Sequence, residues 1–182
     1  MTRYLNWALV PLAVLSLAAC GDSGKSAASA APSSQTLAAA LKGDPAFDAL
    51  ERVLNNAGLT DVLEGAGPYT VFAPVDAALK AAGDTDFTTE AMRAPAAALL
   101  RAHIVPGTLT RADIDAAIDN GGGAVQMRTM ADTLLSFKRD GTNIVVTAPD
   151  GASARLTGSE NLAGNGVIQP IDALLIKSAP AG

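Results

Sequence analysis

The hydrophobic period of this chain changes at Gly121-Gly122-Gly123, and this change constrains the fold more than any other feature. Before the three glycines, apolar residues recur every three or four positions, which is typical of amphipathic helices. After them apolar residues alternate, and Asp140-Gly141 separates two alternating runs, which predicts a β-hairpin. Helices that come first and strands that come later predict an α+β fold instead of alternating βαβ units.

Several helix boundaries can be predicted from capping residues. Asp44-Pro45 supplies an N-cap followed by proline, and Gly58 closes that helix. Thr110 and Asp113 have the spacing of a capping box. Pro95 is expected either to begin the second piece of a broken helix or to kink the whole helix, because proline disrupts a helix interior. Asp76 is expected to cap the helix that follows Val75, since valine has no capping oxygen.

The remaining strands are predicted from turns. Pro149-Asp150-Gly151 and Asn165-Gly166 are turn sequences between apolar runs. Residues 69–73 read as a buried strand, and Pro170 should lie at a sheet edge or a bulge because it lacks an N–H.

The first residues indicate a signal peptide. Arg3 precedes Leu5–Ala19, an apolar run of 15 residues, which is shorter than the roughly 20 residues that cross a bilayer. The run ends Leu17-Ala18-Ala19-Cys20, which resembles the lipobox of bacterial lipoproteins. This resemblance implies cleavage after residue 19 and lipid on Cys20; the alternative is an ordinary secretory signal with a chance cysteine.

The domain organisation follows from this interpretation. Cys20 is the only cysteine, so no disulfide is possible within the chain. Residues 20–35 are predicted to form a lipidated, flexible tether, residues 36–177 one domain, and residues 178–182 a tail. Gly21, which follows the cysteine in place of aspartate, favours the outer membrane over the inner membrane by resemblance to enterobacterial lipoproteins.

The charge of the chain argues against nucleic acid as a partner. Its formal net charge is -5, and lysine and arginine are scattered singly. A protein that neutralises phosphates should show a basic stripe instead.

Three segments, in their order and spacing, resemble the signatures of the fasciclin-like domain. They are GPYTVFAPVDAA at residues 67–78, LLRAHIVPG at 99–107 and NGVIQPIDALL at 165–175. The resemblance covers residues 36–177. It implies a helical layer packed on a wedge of β-strands and, from eukaryotic members, adhesion through the central segment. Gln169 stands where the family often has histidine, and Ala102 where it typically has tyrosine.

The resemblance also places a candidate interaction surface on the second and third signatures. Its members are Arg101, His103, Pro106, Gly107, Gln169 and Asp172.

No catalytic, cofactor or metal site is predicted. His103 is the only histidine, and its apolar neighbours favour a core residue bonded to the backbone over a general base or metal ligand. On the helix after Thr110, Asp113 is expected to serve the cap, and Asp115 and Asp119 are expected to be solvated.

Three functions remain open at this point. The first is an envelope-anchored interaction module without catalysis, which binds the membrane through its lipid and a protein or polysaccharide through its domain. The second is a small-ligand carrier with a groove for lipid or glycan between helices and strands. The third is a hydrolase without a recognisable motif.

Overall fold

A computed structural model of the protein describes residues 33–83 and 85–177. The predicted signal peptide, Cys20, most of the tether and the 178–182 tail lie outside the described residues. Within the described part of the chain, the helices are all too short or too polar to cross a membrane.

The helices lie before Asn120, as the sequence predicts. They are α1 (Leu37–Lys42), α2 (Asp48–Ala57), α3 (Thr60–Glu64), α4 (Asp76–Ala81), α5 (Arg93–Ala102) and α6 (Arg111–Asn120), with 3₁₀ turns at Pro45–Phe47 and Glu90–Met92. Three predicted caps are confirmed: Asp44 accepts from the backbone N–H of Ala46, Gly58 is left-handed with φ 68°, and Thr110 forms the capping box with Asp113.

Two predicted helix starts differ from the structure. The break before α5 falls at Arg93, so Pro95 lies inside the first turn and does not begin the helix. Its missing N–H costs nothing there, because the first four amides of a helix have no intrahelical acceptor. Asp76 does not cap α4 as predicted. Its Oδ1 accepts a 2.9 Å hydrogen bond from the backbone N–H of Ala49 and so binds the start of α2.

The structure has two four-stranded sheets. Their strands are β1 (Tyr69–Pro74), β2 (Ile104–Pro106), β3 (Ala124–Arg128), β4 (Leu134–Asp140), β5 (Asn143–Thr147), β6 (Ser153–Arg155), β7 (Asn161–Ala163) and β8 (Gly166–Ile171), and all of these except β1 and β2 come after the three glycines. Sheet A has the order β2-β1-β8-β7, with β1 and β8 parallel, and sheet B is the antiparallel β3-β4-β5-β6. The α+β prediction is therefore confirmed.

The turn predictions are correct within one residue. Asp140 still pairs with Asn143, so Gly141-Thr142 forms the hairpin loop. The turn predicted at Asn165-Gly166 is formed by Gly164-Asn165, and Gly166 already begins β8. Pro170 lies in β8, an inner strand and not the edge that its missing N–H predicts. However, β7 pairs only with residues 166–168, so proline is tolerated beyond them.

Sheet A is buried on both faces, which explains why nearly all of β1 is apolar. One face packs against the helices in a core that includes Leu50, Leu63 and Val71. The other packs against sheet B and α6 in a second core, where the rings of Phe72 and Phe137 lie 5.2 Å apart.

Asn165 joins three elements at one end of sheet A. Its Oδ1 accepts a 2.8 Å bond from the backbone N–H of Leu37, and its Nδ2 donates to the carbonyls of Leu63 and Gly65 at 2.8 and 2.6 Å. Gly166 follows, where a Cβ would lie 1.9 Å from the carbonyl oxygen of Tyr69, so only glycine allows β8 to approach β1 this closely.

The chain enters the domain along the outer edge of β7. The backbone N–H of Ser33 donates to the carbonyl of Leu162 at 2.9 Å, and that of Gly164 donates to Gln35 at 2.7 Å. Residues 33–35 therefore cover an edge of sheet A that would otherwise expose unpaired backbone groups.

Candidate functional site

His103 lies at the end of α5 and is 1 % exposed. Its Nε2 accepts a 2.9 Å hydrogen bond from the backbone N–H of Leu175, so Nδ1 carries the proton and donates to the carbonyl of Leu99 at 2.8 Å. Burial lowers the pKa of His103 to about 4, although the Leu99 bond opposes this shift. The ring is neutral and both nitrogens are occupied, which matches the predicted core histidine and removes His103 from the predicted surface.

Gln169 is also buried, at 0 % exposure, and does not belong to a surface. Its Oε1 accepts from Nε of Arg111 at 3.3 Å. Its Nε2 donates to the carbonyl of Leu109 at 3.0 Å and to the carboxylate of Glu160 at 2.7 Å. The same carboxylate accepts a 2.7 Å bond from the backbone N–H of Arg111, the first residue of α6. Gln169 thus holds α6 to β8 in a partly buried polar cluster.

The exposed members of the predicted surface do not form one patch. Pro106 pairs with Tyr69 at the start of β1, whereas Asp172 follows Ile171, which pairs with Pro74 at the other end. Five residue steps separate these ends, or about 17 Å along a strand. The predicted surface is wrong for His103 and Gln169, which are buried. Of its other members, Arg101, Pro106 and Asp172 are exposed and Gly107 is half-buried.

Asp172 has a structural contact that the sequence did not reveal. Its carboxylate accepts a 2.7 Å bond from the backbone N–H of Arg155, and its own N–H donates to the Arg155 carbonyl at 3.2 Å. Asp172 therefore ties the end of β8 to the outer edge of β6 and links the two sheets.

The acidic side chains of α6 are not simply solvated as expected. Arg139 binds Asp115 and Asp119 at 2.8 Å each, and these bonds raise the pKa of the guanidinium. Hydrogen bonds from Thr110 lower the pKa of Asp113. Among residues 33–83 and 85–177, no three histidine, cysteine or acidic side chains are grouped closely enough to hold a metal ion.

An open groove of about 430 Å³ lies between α2, α4 and the loop after α4. Val53, Leu79 and Phe87 supply apolar lining, and Arg52 and Lys80 stand at its sides. The small-ligand hypothesis placed its groove between helices and strands, whereas this one is lined by two helices and a loop.

The outer face of sheet B is the surface that the sequence analysis missed. Inward residues of β4 and β5 such as Phe137 and Val146 are buried, and the outward ones between them are half-buried or exposed. Leu134 is the exposed large apolar residue of the described chain, at 39 %. The signal was the alternation Val125-Gln126-Met127-Arg128, which also marks the strand β3 that was not predicted.

The comparisons with known proteins agree on one family. The family model described as Fasciclin domain matches residues 45–177. Human Stabilin-1 is 30% identical over 145 residues, which are 78% of this chain and 5% of that protein. Protein sll1483 of a Synechocystis species is 29% identical over 154 residues, or 81% of this chain and 76% of that protein.

Solved structures show the same fold. A FAS1 domain pair from the insect cell adhesion molecule Fasciclin I aligns with a TM-score of 0.67 at 18% identity, over 78% of this chain and 51% of that one. The chain thus spans about half of that structure and a twentieth of Stabilin-1.

Proposed function

Because this chain belongs to the fasciclin domain family, we propose that it is a non-catalytic binding module of the cell envelope. The observation that carries the proposal is the family match over residues 45–177, together with the fold shared with an insect cell adhesion molecule. The proposed partner is a protein or polysaccharide of the envelope or its surroundings.

The state of His103 supports a function without catalysis. A general base needs a ring nitrogen within reach of the substrate, with a pKa near the working pH. Both nitrogens of His103 are bonded in the interior, and its pKa of about 4 leaves it neutral at pH 7. The ring therefore supports packing and not proton transfer.

This proposal is tested with the full chain on cells of its native host. Photo-crosslinking from exposed positions should give discrete adducts with envelope or matrix components. A panel of ester, glycoside and peptide substrates should show no turnover. Robust turnover by the full chain that is lost in a folded His103→Gln variant would overturn the non-catalytic proposal.

We further propose that lipid on Cys20 anchors the module, with the outer membrane favoured. The tether of about 15 residues would reach very roughly 20 Å as a coil, which suits contact with neighbours at the membrane surface. Stable anchoring needs two or more acyl chains, which lipoprotein processing supplies.

The Cys20→Ser variant is expected to leave the membrane fraction, because it has no thiol for acylation. Mass spectrometry of the wild-type protein should identify an acylated N-terminal cysteine. Ser23→Ala is the matched control and should remain membrane-bound. Release of an unmodified wild-type chain in quantity would contradict the anchor.

The groove beside Phe87 favours a second candidate, a carrier of small amphipathic ligands. A fluorescent fatty-acid analogue is the probe, and it should bind the full chain more than fivefold more weakly in Phe87→Ala than in the control Phe87→Leu. Equal binding by both variants, or none by the wild type, would remove this candidate.

A further inference from the structure

Four polar side chains form a row across the outer face of sheet B. The strand register places Gln126 opposite Ser136, Ser136 opposite Thr147, and Thr147 opposite Ser153. Neighbouring strands lie about 4.8 Å apart, so this row, hereafter the polar row, spans about 14 Å. It offers amide and hydroxyl groups at regular spacing.

The polar row is open to a ligand. Gln126 and Ser153 are exposed, and Ser136 and Thr147 are half-buried. Every one of the four side chains lacks a hydrogen-bond partner within residues 33–83 and 85–177, whereas Gln169, the same residue type as Gln126, uses both atoms of its amide internally. Their donors and acceptors therefore face solvent and can bond the hydroxyl groups of a ligand.

Basic side chains flank the polar row. The neighbouring register aligns Ala124, Lys138, Val145 and Arg155. Arg155 lies 3.7 Å from Asp140, and Arg128, on the other side of the row, lies 2.6 Å from Asp132. Lys138 is exposed and has no ion pair within the described chain. The face therefore carries one more positive than negative charge.

The helical part of the domain has a net negative charge, whereas the segment that holds sheet B has a net positive charge. Residues 33–120, which hold the helices, contain six basic and twelve acidic side chains, whereas residues 121–156, which hold sheet B, contain four and three. Because the summed field of a protein steers charged ligands, this charge distribution would favour the approach of a polyanion to sheet B over the helical layer.

We propose that the outer face of sheet B binds an extended acidic polysaccharide that runs across the strands along the polar row. Sugar hydroxyls bond Gln126, Ser136, Thr147 and Ser153, and uronate carboxylates bond Lys138 and the flanking arginines. The inference rests on the proposed binding function and names the partner class and the surface.

The surface binds by charge and hydrogen bonds and not by ring stacking. Of the aromatic side chains in the described chain, Phe47, Phe72 and Phe137 are buried, and Tyr69 and Phe87 lie outside sheet B. An open groove of about 520 Å³ runs beside the polar row, lined by Gln126, Ser136 and Thr147 on one side and by Leu134 and Pro149 on the other. This groove can seat a sugar ring against three of the four polar side chains.

The test measures, by interferometry, how tightly alginate oligosaccharides bind to the full chain in detergent micelles. Alginate is a polymer of uronates. Binding is expected to weaken about tenfold in Lys138→Glu and about threefold in Thr147→Val, with melting temperatures within 2 °C of the wild type, because both residues are at the surface. Lys138→Gln serves as a milder variant if the charge reversal alters folding. Neutral dextran should not bind.

Lys42→Glu is the matched control, since it makes the same charge reversal at an exposed lysine of α1, in the helical layer. It should leave alginate binding unchanged. The proposal is overturned if Lys42→Glu weakens binding as much as Lys138→Glu, if polyglutamate binds as well as alginate, or if alginate does not bind. Crosslinks to envelope components on cells would persist in that last case, so the proposed function would stand while this inference fell.

Discussion

Replacing Asn165 with aspartate will lower the free energy of unfolding by about 3 kcal/mol and the melting temperature by about 10 °C. Aspartate has the same shape and still accepts the bond from the Leu37 N–H. It has no N–H, however, so two carboxylate lone pairs would face the carbonyls of Leu63 and Gly65. Two lost hydrogen bonds and two repulsive contacts account for the loss.

Urea unfolding of the full chain in detergent micelles measures this change, with Asn143→Asp as the control. Asn143 is exposed in the hairpin of sheet B, and its side chain takes no part in a hydrogen bond within the described chain. The control should change stability by less than about 0.5 kcal/mol. Equal losses in the two variants would show that Asn165 is not a special contact.

The second large effect is a loss of stability in acid, caused by His103. Its pKa is about 4 in the folded protein and about 6.5 when unfolded. Between these values the unfolded chain binds more protons, so stability is complete above pH 6.5 and declines as pH falls towards 4. Integrated over this window, the loss is about 3 kcal/mol at most.

Urea titrations at pH 7, 6, 5 and 4.5 should show this decline in the wild type and a smaller decline in His103→Gln. The variant is expected to be less stable than the wild type by about 1–3 kcal/mol already at pH 7, because the Leu175 N–H and the Leu99 carbonyl lose their partner. Carboxyl groups titrate alike in both proteins and cancel in the comparison. His103 is the only histidine, so its ring signal in NMR reports the pKa directly. A ring that titrates near 6.5 would refute the prediction.

Local signals in the sequence predicted most of the elements. The caps at Asp44, Thr110 and Gly58, and the hairpin at Gly141, depend on residues a few positions apart, whose backbone preferences act wherever the chain goes. The small errors at Pro95 and Gly166 are shifts of one or two residues at element ends.

The contacts of the candidate site could not be predicted in this way. The bonds of Asn165 to Leu37 and of His103 to Leu175 join residues separated by 128 and 72 positions. Whether Gln169 is exposed depends on α6 packing over it, and no local pattern encodes that packing. The family signatures drew attention to His103 and Gln169, but both side chains form hydrogen bonds in the interior and do not belong to an outer surface.

The path of residues 33–35 along β7 has a mechanical consequence if Cys20 is the anchor. Force transmitted from the anchor would then act on the described domain at Ser33. It would load first the hydrogen bond from Ser33 to Leu162 and next the hydrogen bond from Gly164 to Gln35. Both can part without disturbing either core, until the tension reaches Leu37, which Asn165 holds. Release of four residues would lengthen the tether by up to about 14 Å. The domain could thus extend under load from a moving partner, and residues 33–35 could pair with β7 again when the load is removed.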